Sequence, residues 1–151
     1  MITIEEFKNK ITKKSRLLGL DLGSKRIGVA ICDDRQAIAT PFRTIYKKGA
    51  VQFIDELKLI IKENNIEGII VGNPINMDGS LSRGSQSIKD VCKNILQNID
   101  VPLCLWDERL STVGAFNLSS QLDVNVSKKV KSIDKNAAAF LLQGAIDYLK
   151  N

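Results

Sequence analysis

The chain contains no histidine. That absence removes Ser-His-Asp and Cys-His triads, histidine general bases and nearly all zinc hydrolase sites. Any chemistry must rest on carboxylates, lysines, arginines, hydroxyls or a hard cation. Cysteine is scarce. Cys32, Cys92 and Cys104 stand far apart without a C-x-x-C pair, so neither a zinc ribbon nor a thioredoxin-type motif is on offer. Each lies in an apolar run and reads as a buried reduced thiol, not a nucleophile. Aromatic residues make up only 5% of the chain, which gives little support to base stacking. No apolar run is long enough to span a bilayer. Glu5, Glu6, Lys8 and Lys10 interrupt the apolar core that a signal peptide would need. The expected location is the cytoplasm, with no membrane partner.

What is present fits one globular domain. The chain has 151 residues, 44% of them hydrophobic and 26% charged, enough for one sizeable core. The net charge is +5, which suits an anionic partner, nucleic acid first. Many basic proteins bind nothing in particular, so the charge alone is weak evidence.

Residues 1–15 stand apart as an N-terminal helical extension. Thr3 and Glu6 form a capping-box pattern, and Ile4, Phe7 and Ile11 share a face of a short helix. Residues 16–151 read as the main domain. Strands are expected over Arg16–Leu22 and Arg26–Asp33, joined by a turn at Gly23-Ser24-Lys25. A third covers Ala37–Tyr46, where Pro41 marks a bend or an edge. A helix follows over Ala50–Asn65, then a buried strand over Glu67–Gly72 ending in Asn73-Pro74. A loop carrying Asp78-Gly79 leads to a helix over about Ser82–Gln97. Val101–Trp106 is another buried strand. Ser111–Leu122 and Ser132–Leu149 are helices, with a polar, basic loop over Asp123–Lys131 between them. The order βββαβαβαα gives an α/β fold with a mixed five-stranded sheet and helices on both faces. That is the ribonuclease H-like order.

Ligands gather beyond the carboxyl ends of strands in such sheets. Asp21 lies at the end of the first strand, where an unpartnered charge is costly. Asn73-Pro74 through Asp78-Gly79-Ser80 follows the fourth strand, and Asp107-Glu108-Arg109 the fifth. Side chains alternate along a strand, so Asp107 and Glu108 face opposite ways. Alternation alone does not choose between them. On the last helix, Ala138, Leu141, Leu142, Ala145 and Leu149 make an apolar stripe, and Asp134 lies on it one turn earlier. Taken singly, Asp134 reads as a first-turn acid complementing the helix dipole. Together with Asp21 and an acid of the fifth strand, it reads as part of a site.

Acids clustered without histidine suit a hard cation such as Mg²⁺. Two such ions, roughly 3.5–4 Å apart, can activate water and stabilise the leaving oxygen in phosphodiester cleavage. Cations recur beside each candidate acid. Lys25 and Arg26 follow Asp21, Arg83 follows the Asp78 loop, and Arg109 adjoins Glu108. Lys128, Lys129, Lys131 and Lys135 flank Asp134. Each alone is an ordinary solvated charge; their recurrence suggests a phosphate track.

These segments resemble the YqgF/RuvX family, described as Holliday junction resolvases and as pre-16S rRNA nucleases. The resemblance rests on four motifs in order over about residues 16–150. They are Leu18-Gly-Leu-Asp21-Leu-Gly-Ser-Lys-Arg-Ile-Gly-Val-Ala30, Val71-Gly-Asn-Pro-Ile-Asn-Met-Asp-Gly-Ser80, Trp106-Asp-Glu-Arg-Leu-Ser-Thr112 and Ile133-Asp-Lys-Asn-Ala-Ala138. It implies a ribonuclease H-like fold and a nuclease using Mg²⁺ or Mn²⁺. By motif position, Asp21, Glu108 and Asp134 are the implied catalytic and metal-binding acids. Asn73, Asp78 and Ser80 would line the cleft. Asn73 departs from the apolar residue usual in the family. The implied task is processing the 5′ end of pre-16S rRNA in ribosome biogenesis.

Two rivals remain open: cleavage of branched DNA, and nucleic-acid binding without catalysis. An actin-like ATPase, whose first motif is similar, needs a duplicated second domain that 151 residues would not hold.

Overall fold

The structure is a computed structural model that describes residues 1–73, 85–107 and 126–150, with residues 85 and 126–135 described by their backbone alone. The elements are α1 (Ile4–Lys10), β1 (Arg16–Leu22), β2 (Arg26–Cys32), β3 (Ala39–Tyr46), α2 (Ala50–Asn64), β4 (Ile66–Asn73), α3 (Ser85–Asn98), β5 (Leu103–Asp107) and α4 (Val126–Leu149). The five strands form one sheet in the order β3-β2-β1-β4-β5. β1–β2 and β2–β3 pair antiparallel. β1–β4 and β4–β5 pair parallel. This is the expected mixed sheet, and the helices do cover both faces.

Strand alternation splits the core in two. Leu18, Leu20, Ile27, Val29, Ile69, Val71 and Leu103 face α2 and α3, packing on Phe53, Leu57, Ile60, Ile88 and Ile95. Leu17, Ala30, Cys32, Ile70, Cys104 and Trp106 face the other way, against Leu141, Leu142, Ala145 and Ile146 of α4. Phe7 of α1 is fully buried in this second core. The Thr3 side chain caps α1 by accepting from the Glu6 amide at 3.1 Å. Ile2 bridges to Cys104. The N-terminal segment thus closes the α4 face beside β5.

β3 is the antiparallel edge, and most of its side chains are exposed. Pro41 sits within it beside the irregular register at Val29/Ala30, consistent with a residue that cannot donate to a ladder. Gln143 of α4 fastens this edge. Its Oε1 accepts from the Ala39 amide at 2.8 Å, and its Nε2 donates to the Ala37 carbonyl at 3.0 Å.

The last helix differs from its expected limits. Residues 126–131, expected in a polar loop, are helical. Polarity was a poor guide there, because no glycine or proline interrupts the segment and lysine is a good helix former. Asp134 is consequently in the helix interior and not in its first turn. A helix-dipole role, confined to the first turn, no longer accounts for it. The expected helix over Ser111–Leu122 lies outside the described residues. No described helix is long and apolar enough to cross a membrane.

Candidate nuclease site at the carboxyl end of β1

Asp21 is held by the β1–β2 hairpin. It pairs with Gly28, and Leu22 pairs with Ile27. Gly23 then donates its amide to the Arg26 carbonyl at 2.9 Å. A Cβ on Gly23 would lie 2.5 Å from that carbonyl oxygen. Only glycine permits this turn, which sets the strand end where Asp21 sits.

The direction of Asp21 follows from its neighbours. Leu18, Leu20 and Leu22 belong to the α2/α3 side, so Leu17, Gly19 and Asp21 face α4. A Cβ built on Gly28 would lie 3.7 Å from the Asp21 Cβ and 3.4 Å from the Ala138 Cβ. Asp21 therefore lies under α4, half-buried beside Ala138. Gly19 makes the close packing possible, since a Cβ there would come within 2.8 Å of the Leu142 Cβ.

The same contacts orient the helix. Ala138 lies over Gly28 at the level of Asp21, and Leu142 lies over Gly19 further back along β1. α4 thus runs antiparallel to β1. Residue 134 is four positions before Ala138, about 6 Å along the axis, toward the carboxyl end of β1. The structure brings the backbone bearing Asp134 to the strand end that bears Asp21.

β5 lies beyond β4. Leu103 and Leu105 pack with the α2/α3 core, while Cys104 and Trp106 belong to the α4 core. Asp107 has the parity of Leu103 and Leu105, on the face opposite Asp21. Asn73, its partner in register, shares that parity with Ile69 and Val71. The Asn73 Oδ1 is buried with no hydrogen-bond partner among the described residues. Asn73 and Asp107 thus form a polar pair at the same sheet end on the other face.

Of the cations, Lys25 and Arg26 are exposed at the hairpin beside Asp21. Arg26 has the parity of Gly28 and shares the face of Asp21. Lys128, Lys129, Lys131 and Lys135 belong to the part of α4 before Asn136. Glu108, Arg109, Asp78, Ser80 and Arg83 lie outside the described residues. Among the described residues no group of three potential metal ligands occurs. The donor chemistry that is described, one carboxylate at a strand end in a histidine-free chain, fits a hard cation and not a zinc site.

Two features escaped the sequence. A cavity of about 180 Å³ lies between β2, β3 and α4, lined by Gly28, Pro41, Thr44, Asn136 and Ala138. It adjoins the Asp21 face. A larger one of about 440 Å³, lined by Arg16, Asp33, Ile38 and Phe42, opens at the opposite end of β1. Asp33 there accepts from the amides of Ala37 and Ile38 at 2.7 and 3.0 Å. Those bonds lower its pKa and mark it as a turn residue. The cysteines are free and buried, as expected. Burial pushes Cys92 up to about 11 and Cys104 up to about 12, and raises Cys32.

The family described as "RuvX: Holliday junction resolvase" matches residues 15–148. A protein of Pelagibacter ubique named "Putative pre-16S rRNA nuclease" is 72% identical over the full length of both chains. One of the same name from Ruegeria pomeroyi is 41% identical, covering 99% of this chain and 97% of its own. Among solved structures, Thermus thermophilus RuvC in complex with a Holliday junction substrate superposes with a TM-score of 0.54. It covers 91% of this chain and 96% of its own at 12% identity, a likeness of fold alone.

Proposed function

This chain belongs to the RuvX family, and we propose that it is a metal-dependent nuclease that processes the 5′ end of pre-16S rRNA. Asp21, Glu108 and Asp134 would hold Mg²⁺ or Mn²⁺. The observation that carries this reading is the position of Asp21, at a strand end and under the helix that bears Asp134. Asp107 has the parity of Leu103 and Leu105, on the face opposite Asp21, which argues against it as the third ligand.

The chemistry such ions would supply there is activation of a water and stabilisation of the departing oxygen of a phosphodiester. The protein supplies the fixed geometry. The hairpin and the close approach at Gly28 set the backbone and Cβ of Asp21 beneath α4. Carboxylates brought together at such a site would repel one another without a shared cation. Lys25, Arg26, Arg83, Arg109, Lys128, Lys129, Lys131 and Lys135 bind the phosphates on either side. Asp78 and Ser80 would line the cleft; Asn73 ends β4 on the face opposite Asp21 and would border it from that side. Buried reduced thiols suit a reducing compartment, and we assign the enzyme to the cytoplasm.

The family description also favours a second substrate, a four-way DNA junction. Purified protein offered an rRNA precursor and a junction with Mg²⁺ or Mn²⁺ separates the two. We expect cleavage of the precursor, and loss of that cleavage in Asp21→Asn. Metal-dependent cleavage by purified Asp21→Asn equal to wild type would overturn the reading.

A further inference from the structure

We propose that Tyr46 is a base-stacking platform for an unpaired nucleic-acid strand, beside the Asp21 end of the sheet. The inference rests on the nuclease reading above and names a contact that reading does not contain. Tyr46 ends the edge strand β3 and is 63% exposed, unusual for a large ring. Its neighbour Ile45 is buried in the α2/α3 core, so Tyr46 points to the opposite face. It pairs in register with Arg26, and Arg26 shares a face with Gly28 and Asp21. Asp21, Arg26 and Tyr46 thus lie on one face of three adjacent strands.

Spacing and charge fit a nucleic-acid strand. Tyr46 is two strands across from Asp21 and two residues further along, about 12 Å away backbone to backbone. The ring would meet a base near the cleaved bond, not the one at it. The Lys47 amide donates to the Lys25 carbonyl at 3.1 Å, which joins the hairpin to the end of β3. Lys25, Arg26, Lys47 and Lys48 are all exposed and lie next to Tyr46 along the chain or at its paired position in β2. An aromatic face among cations is the arrangement that binds single strands, with bases on the ring and phosphates on the lysines. The low aromatic content of the chain does not oppose this, because one ring suffices.

The test uses the full chain in EDTA, so that no cleavage intervenes. A fluorescein-labelled single-stranded RNA is titrated by anisotropy, with a fully paired duplex in parallel. Tyr46→Ala should weaken single-strand binding roughly ten-fold and change duplex binding less than about two-fold. Tyr46→Phe keeps the ring and should bind like wild type. The proposal fails if Tyr46→Ala binds the single strand like wild type. It fails if Tyr46→Phe is as weak as Tyr46→Ala, or if duplex binding falls equally. It also fails if Tyr46→Ala converts an oligomer to monomer in sedimentation, since the ring would then be a contact between copies. None of these outcomes touches the Asp21→Asn cleavage test, so the two readings fail separately.

Discussion

The two faces of the sheet are packed by different means. The α2/α3 face is filled with bulk: Leu18, Leu20, Ile27, Val29, Ile69 and Val71 interlock with Leu57, Ile60 and Ile95. The α4 face also buries large residues, among them Phe7, Leu17, Ile70, Trp106, Leu141 and Leu142, but it is small where the helix crosses β1 and β2. Gly19, Gly28, Ala30, Ala138 and Ala145 let the helix lie against the strands. Bulk supplies stability; close approach supplies position. The only described acid in β1 is on the closely packed face, where a helix can bring a second acid near it. The candidate acid thus lies on the face where close packing sets distance, while both faces contribute to the core.

Breaking each face should have a different signature. On the bulky face, Leu20→Ala should cost about 2–5 kcal/mol in urea denaturation. The folded fraction should still cleave, because Asp21 is untouched. On the closely packed face, Asp21→Asn should do the reverse. Its stability should stay close to wild type, and cleavage should fall more than roughly 100-fold, the upper range for losing a mere outer-shell partner of a metal.

Gly19→Ala sharpens the contrast. Its new Cβ would meet the Leu142 Cβ at 2.8 Å, so α4 must shift. A stability loss of about 1–3 kcal/mol is expected, with a drop in cleavage out of proportion to it. Thiol labelling checks the cause. Cys32 and Cys104 lie on the α4 face and Cys92 on the other. In Gly19→Ala the first two should label faster, and Cys92 should not.

The smallest effect is expected from Arg43→Ala. Its contact with Glu56 is 3.4 Å long, with both side chains substantially exposed. Such pairs contribute about 0–1 kcal/mol, so its denaturation midpoint should barely move and cleavage should be unchanged.

The sequence made Asp21 legible because a carboxylate in an apolar strand end is costly and conspicuous. The strands were legible from alternation, and the parity of Leu20 and Leu22 against Asp21 is that signal at work. The choice between Asp107 and Glu108 was not legible from pattern. Alternation puts the two acids on opposite faces without saying which face carries the site, and the resemblance to the family's third motif is what favours Glu108. The start of α4 was missed because a run of serine and lysine was read as loop, although nothing in it breaks a helix. The roles of Gly19 and Gly28 were hidden for a related reason. A glycine needed for a helix contact looks, in sequence, like one needed for a turn. Gln143, which ties α4 to the edge strand, carries no sequence signal at all.

The central claim is that Asp21 anchors a divalent ion at the carboxyl end of β1. Crystals grown with Mn²⁺ and measured for anomalous scattering test it most directly. The account predicts a Mn²⁺ peak in direct contact with the Asp21 carboxylate, near the turn of α4 that carries Asp134. A fully occupied peak elsewhere, or none at Asp21 in saturating Mn²⁺, would contradict it.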